Sequence, residues 1–115
     1  MPRDVTLLCR GQVDARQVAE ALVEHNTAWG IRALDDGSIL QVCRDADRPV
    51  ITVLGVHRVD FSDEIERILP DAPAMPVPVW WADTVTPFDD DGEDGVAAAL
   101  DAAVTLNALC IVHGD

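Results

Sequence analysis

Residues 31–54 read IRALDDGSILQVCRDADRPVITVL. Two apolar alternations flank Asp36-Gly37, a dipeptide favoured in two-residue type I′ hairpin turns because both central positions need a positive φ. That turn pairs Asp35 with Ser38 and so sets a register: Leu34 opposite Ile39, Ala33 opposite Leu40, Arg32 opposite Gln41 and Ile31 opposite Val42. Trp29, Ile31, Ala33, Leu40 and Val42 then share the expected core face. A second turn, from Asp45 to Arg48 before Pro49, returns the chain with Val50 opposite Cys43, Ile51 opposite Val42, Thr52 opposite Gln41, Val53 opposite Leu40 and Leu54 opposite Ile39. The result is a three-strand antiparallel meander. Its other face carries Leu34, Ile39, Cys43, Val50 and Leu54 among Arg32, Gln41 and Thr52, which is too apolar to stay fully wet. Cover by the C-terminal helix is the expectation; a homo-oligomer joined through this second face is the other way to bury it.

Upstream, Val5 to Arg10 reads as a strand. Asp14 and Gln17 form a capping box for a helix that runs through Asn26, with Val18, Ala21, Leu22 and His25 on one stripe. Downstream, Asp60 or Ser62 can cap a short helix through Leu69, which Pro70 ends. Residues 70–78, PDAPAMPVP, hold four prolines and form a stiff connector. Val77 to Thr86 reads as a strand, the run DDDGEDG at 89–95 as an acidic turn, Val96 to Asn107 as a helix and Leu109 to His113 as a closing strand. The predicted architecture is a single α+β domain over residues 1–115, in the order β-α-β-β-β-α-β-α-β, with a mainly antiparallel sheet and helices packed on it.

The 115 residues carry a formal net charge of -13. Residues 1–59 hold eight acids against seven arginines, whereas residues 60–115 hold thirteen acids against Arg67 alone. A field of that sign repels phosphate backbones and anionic lipid and speeds encounter with basic proteins, so direct nucleic-acid binding is not expected. Solubility is the plainer role for the same charge. The opening residues lack the apolar core of a signal peptide, and no run reaches the ~20 residues of a membrane span. Three cysteines, Cys9, Cys43 and Cys110, form no C-x-x-C pair and leave an odd thiol, which points to a reducing cytoplasm.

Chemistry-bearing motifs are sparse. Neither register of the acidic turn puts ligands where a calcium loop needs them, and carboxylates at a helix N-terminus suit its dipole. His25, His57 and His113 match no compact zinc spacing with the cysteines, so no metal and no cofactor are expected. No nucleophile elbow, P-loop or dinucleotide fingerprint is present, and no catalytic residue is assigned. Trp80-Trp81 is the unusual aromatic feature: alternation puts Trp81 with Val77, Val79 and Val85 in the core and turns Trp80 outward with Ala82, Thr84 and Thr86, as an interface anchor. Trp80, Asp83, Asp89, Asp90, Asp91, Glu93 and Asp94 are therefore the candidate partner-binding residues, and the partner is expected to be a basic protein.

QVCRDADRPVITVL at 41–54 and PVWWAD at 78–83 resemble an uncharacterised actinobacterial domain family often encoded beside type VII secretion genes. About a third of the chain carries this likeness, which implies genomic company and brings no catalytic residues. The expected function is a small acidic, non-enzymatic interaction module, an accessory or chaperone-like partner of a type VII secretion locus. An immunity protein that occludes the basic active site of a toxin is the first alternative. A small carboxylate-dependent hydrolase is the second.

Overall fold

The computed structural model describes residues 3–24, 26, 28–45, 48–70 and 72–113. Along the chain these form β1 (Arg3–Cys9), α1 (Ala15–Val23), β2 (Gly30–Leu34), β3 (Ile39–Asp45), β4 (Arg48–Val59), α2 (Ser62–Ile68), β5 (Val79–Thr86), α3 (Asp90–Leu106) and β6 (Ala108–Val112). The six strands make one antiparallel sheet in the order β2-β3-β4-β5-β1-β6, and the fold is α+β.

The first hairpin has the predicted register at all four pairs. The connection differs from the expected two-residue turn: Asp35 (φ 50°) takes a positive φ along with Asp36 (φ 57°) and Gly37 (φ 91°), so Asp35 and Ser38 leave the ladder and residues 35–38 form a four-residue loop, closed by the Ser38 N–H donating to the Asp35 carbonyl at 3.1 Å. The second hairpin keeps Ile51, Thr52 and Val53 opposite Val42, Gln41 and Leu40, but Cys43 faces Pro49 rather than Val50. This irregularity turns Val50 into the main core, where it is fully buried. Of the turn between Asp45 and Arg48, residues 46 and 47 lie outside the described residues. A second irregularity after Val53 leaves Leu54 unmatched and lets β4 continue along β5 to Val59.

Local chemistry explains the helices. Asp14 accepts from the Gln17 N–H at 2.8 Å while the Gln17 side chain accepts from the Asp14 N–H at 2.9 Å, the predicted capping box. The helix it starts ends at Val23, short of Asn26, and His25 lies outside the described residues. Val18 and Leu22 are fully buried, worth about 1.5–3 kcal/mol each. For α2, neither Asp60 nor Ser62 caps: Phe61 holds the cap position without a side-chain bond, and Asp60 instead accepts from Arg58 Nε at 2.7 Å. α3 begins six residues before the expected Val96, because Asp89 caps the Gly92 N–H at 3.1 Å and Asp90, Asp91 and Glu93 complement the helix dipole. The acidic run is thus the opening of a helix rather than a turn.

α1 and α3 lie side by side on one face, where Val18, Ala19, Leu22, Ala98, Ala99 and Ala102 pack on Val5, Leu7, Val42, Ile51, Val53 and Ala82. The expected cover of the opposite meander face by the C-terminal helix is therefore incorrect: α3 shares the face already occupied by α1. Among the described residues the second face is covered over its β4-β5-β1-β6 part, where Ile65, Leu69 and Met75 pack with Leu8, Val59, Val79 and Trp81 and with Leu109 and Ile111 beside them. Over the meander it stays open, with Leu34 and Leu54 exposed.

Candidate functional site

Ion pairs within the fold engage three of the six acidic residues singled out from the sequence, Asp91, Glu93 and Asp94. Asp91 lies between Arg48, 2.8 Å from Nη2, and Arg44, 3.0 Å from Nε. Asp94 also pairs with Arg44. The hydrogen bond to Asp94 is the chief cause that holds the Arg44 guanidinium above its ordinary pKa, with the charges of Asp94 and Asp91 adding to it against the opposing effect of burial. Glu93 is 3.4 Å from Arg3, and Asp89 is the helix cap. Asp90 is exposed. These contacts tie the start of α3 to β1 and to the β3–β4 hairpin.

Strand alternation holds at the tryptophans, with the faces reversed in meaning. Trp80 shares its face with Ala82 and Thr84, and that is the face under the helices; it is half-buried at the edge of the main core, with the Arg58 guanidinium 5.7 Å from its ring. It does not project from the molecule as the sequence suggested. Trp81, 4% exposed, anchors the smaller core on the second face. Val77 lies outside β5 and is exposed. Trp80 stands near the start of β5 and the acidic run follows its end, roughly 20 Å away at about 3.3 Å per residue, so the sheet does not bring the two together.

The second face instead holds a cleft of about 620 Å³ at the open end of α2. Antiparallel pairing builds its floor. β1 contributes Asp4 and Thr6, β5 contributes Trp81 and Asp83, and β4 contributes Gly55 and His57. Asp83 accepts a hydrogen bond from the Trp81 indole N–H at 2.6 Å, and the His57 ring stacks on Trp81 with centroids 5.7 Å apart and planes 25° apart. His113 joins them because its N–H donates to the Asp4 carbonyl at 2.8 Å, extending the β1–β6 ladder by one residue. The rim is apolar, with Leu54 45% and Ile68 56% exposed. Two carboxylates and two imidazoles thus face a space bounded by an indole and two aliphatic side chains, a setting that can hold a cationic head and its apolar stem.

Of the sequence candidates, only Asp83 lies in this cleft. Asp4, His57, Trp81 and His113 were not foreseen as one constellation. The available signal was the pattern of Asp4 and Thr6 at alternate positions of β1, with Asp83 the one charged residue of β5.

Among the described residues no group of three or more His, Cys, Asp or Glu side chains is arranged to hold a metal ion. Cys9 and Cys43 are buried, Cys110 is half-buried, and all three are free thiols. Burial pushes Cys9 and Cys110 up to about 11, which leaves them weak nucleophiles near neutrality. Among the described residues no helix is long and apolar enough to cross a membrane. No family model, no curated protein and no solved structure matches the chain.

Proposed function

We propose that the chain is a non-enzymatic, cytoplasmic interaction module that receives a basic segment of a partner protein in the second-face cleft. The lining of the cleft carries this reading: Asp4 and Asp83 stand there with no arginine among the lining residues, beside exposed Leu54 and Ile68. A lysine or arginine can lay its stem on the rim and its charge against the carboxylates. The acids that open α3 already hold Arg3, Arg44 and Arg48, so they have less to offer a second cation. The resemblance of the hairpin and PVWW segments supports an accessory or chaperone-like role beside a type VII secretion locus. An immunity protein would present the same cleft to a toxin.

The test titrates the protein with a short peptide of alternating arginine and leucine and follows backbone and indole resonances. Shifts should centre on His57, Trp81 and Asp83, and the double variant Asp4→Asn, Asp83→Asn should weaken binding about tenfold while Asp90→Asn leaves it unchanged. Asparagine at 83 keeps an acceptor for the Trp81 indole. Shifts confined to α3, or equal affinity in the double variant, would rule the cleft out. Mass spectrometry of proteins retained from host lysate at low salt and released at high salt then separates a secretion partner from a toxin.

A further inference from the structure

β6 is an outer strand of the sheet, and its sequence Ala108-Leu109-Cys110-Ile111-Val112 has no charge, no proline and no shift of register against β1. The other outer strand, β2, carries Arg32 at its centre and runs into Asp35 and Asp36. Exposed edges usually carry such charges because their free main-chain groups otherwise recruit another strand. β6 lacks them.

The phase of the ladder is known. The His113 N–H bonds to the Asp4 carbonyl, so His113, Ile111 and Leu109 are the residues that exchange hydrogen bonds with β1. Ala108, Cys110 and Val112 therefore direct their N–H and C=O groups away from the sheet. Above this edge runs α3, which packs over β1 and β6 and meets α1 on its other side, where Thr105 donates to Glu24 at 3.1 Å. On α3, Leu100 and Val104 are 51% and 83% exposed; at 3.6 residues per turn Val104 points away from the sheet, opposite Ala99 and Ala102, whereas Leu100 leans toward the flank turned away from Thr105. Strand edge and Leu100 make one apolar border.

We propose that a second copy of this chain pairs antiparallel with β6 about a two-fold axis at Cys110. Ala108 then lies opposite Val112 of the second copy and Cys110 opposite Cys110, with all three outward residues bonded and the sheet continuous across both copies. A strand paired with itself in this way is self-complementary, and because β6 is uncharged no like charges are opposed along it. The ends of β1 add charge complementarity. Arg10 donates to the carbonyl of Asn107, one residue before β6, at 3.1 Å, and the two-fold places this end level with the one where the second copy carries exposed Asp4, about two strand spacings (~10 Å) from that guanidinium, so the attraction is long-range and leaves Asp4 unpaired. At the acidic start of α3, Asp91 and Asp94 face Arg44 and Arg48 of the β3–β4 hairpin and Glu93 faces Arg3 of β1, so these acids are paired within their own copy.

Light scattering and amide exchange over a concentration series test this. The expected mass at high concentration is twice 12.4 kDa. The amides of Ala108, Cys110 and Val112 should gain protection as concentration rises, whereas those of Leu109 and Ile111 are protected throughout. Cys110→Pro removes an outward donor without breaking the β1 ladder and should weaken association about tenfold or more. Leu100→Glu, at a half-exposed position, should do the same and keeps the test open if the proline variant fails to fold. A monomer at every concentration overturns the proposal. So does a dimer indifferent to both substitutions, which would place the contact elsewhere, as on the open meander face.

Discussion

Replacing Gly95 by alanine measures how closely α3 lies on the sheet. Alanine favours a helix interior over glycine by about 1 kcal/mol, so helix propensity alone predicts a gain. The structure predicts a loss. A Cβ at Gly95 would stand 2.0 Å from the Val50 carbonyl oxygen, 2.9 Å from its carbon and 3.0 Å from Thr86 Cγ2. The first two are backbone atoms of β4 and cannot rotate away, so the helix has to withdraw by roughly 1 Å, and a gap of that size forfeits up to about half of each dispersion contact it opens. Ala98, Ala99 and Ala102 lie on the withdrawing face. With overpacking at about 3 kcal/mol and the propensity gain subtracted, the variant should be less stable by about 2 kcal/mol, a Tm lower by about 8 °C. Urea and thermal unfolding followed by circular dichroism measure this, with Gly55→Ala as the control because nothing lies within 4 Å of its Cβ. A Gly95→Ala protein as stable as the parent would refute the close backbone approach and the helix placement argued from it.

Trp81→Ala should cost about 3–5 kcal/mol and unfold the second-face cluster, whereas Trp80→Ala, at the half-buried rim of the other core, should cost less but still lower the urea midpoint. The alkaline limb of stability should report the thiols. Folding raises Cys9 and Cys110 from 9.0 to about 11, so the folded chain keeps protons that the unfolded chain has lost; this contribution is whole below about pH 9 and disappears as pH rises to about 11. With no lysine and no tyrosine to titrate there, the slope should flatten in Cys9→Ala. Asp91→Asn removes an acid shared by Arg44 and Arg48, and its Tm deficit relative to the parent should shrink in 1 M salt, where the screening length is about 3 Å.

Elements governed by local chemistry were legible. Asp36-Gly37 fixed a hairpin register that the structure reproduces from Leu34 opposite Ile39 to Ile31 opposite Val42, though not at Asp35 and Ser38, and Asp14 with Gln17 fixed a helix start. Tertiary contacts decided the rest. Val50 changed its pairing because a bulge brings it under Gly95, and α3 started early because Gly92 and Gly95, weak helix residues alone, permit close approach to Pro87 and Val50. The cleft was illegible for a related reason: His57 meets Trp81 only because β4 shifts register after Val53 and continues along β5. Asp4 and His113, at opposite ends of the chain, meet through the outer pair of strands.

The charge asymmetry is the feature whose meaning folding changes most. In sequence, an almost neutral first half and a strongly negative second half suggest a surface reserved for a basic partner. In the fold, arginines of the first half meet acids of the second: Arg3 with Glu93, Arg44 with Asp91 and Asp94, and Arg48 with Asp91. Part of the asymmetry is thus complementarity between halves of one chain, holding the acidic helix start to the strands beneath it. An acid paired with an arginine offers little attraction to a second cation, and freeing it would break a contact that holds α3 in place. Under the proposed function, recognition of a basic segment would fall to carboxylates outside those pairs, and Asp4 and Asp83 combine that freedom with concavity and an apolar rim. The substitution that separates binding from folding is then one in the cleft, because its carboxylates can lose their charge without releasing a helix.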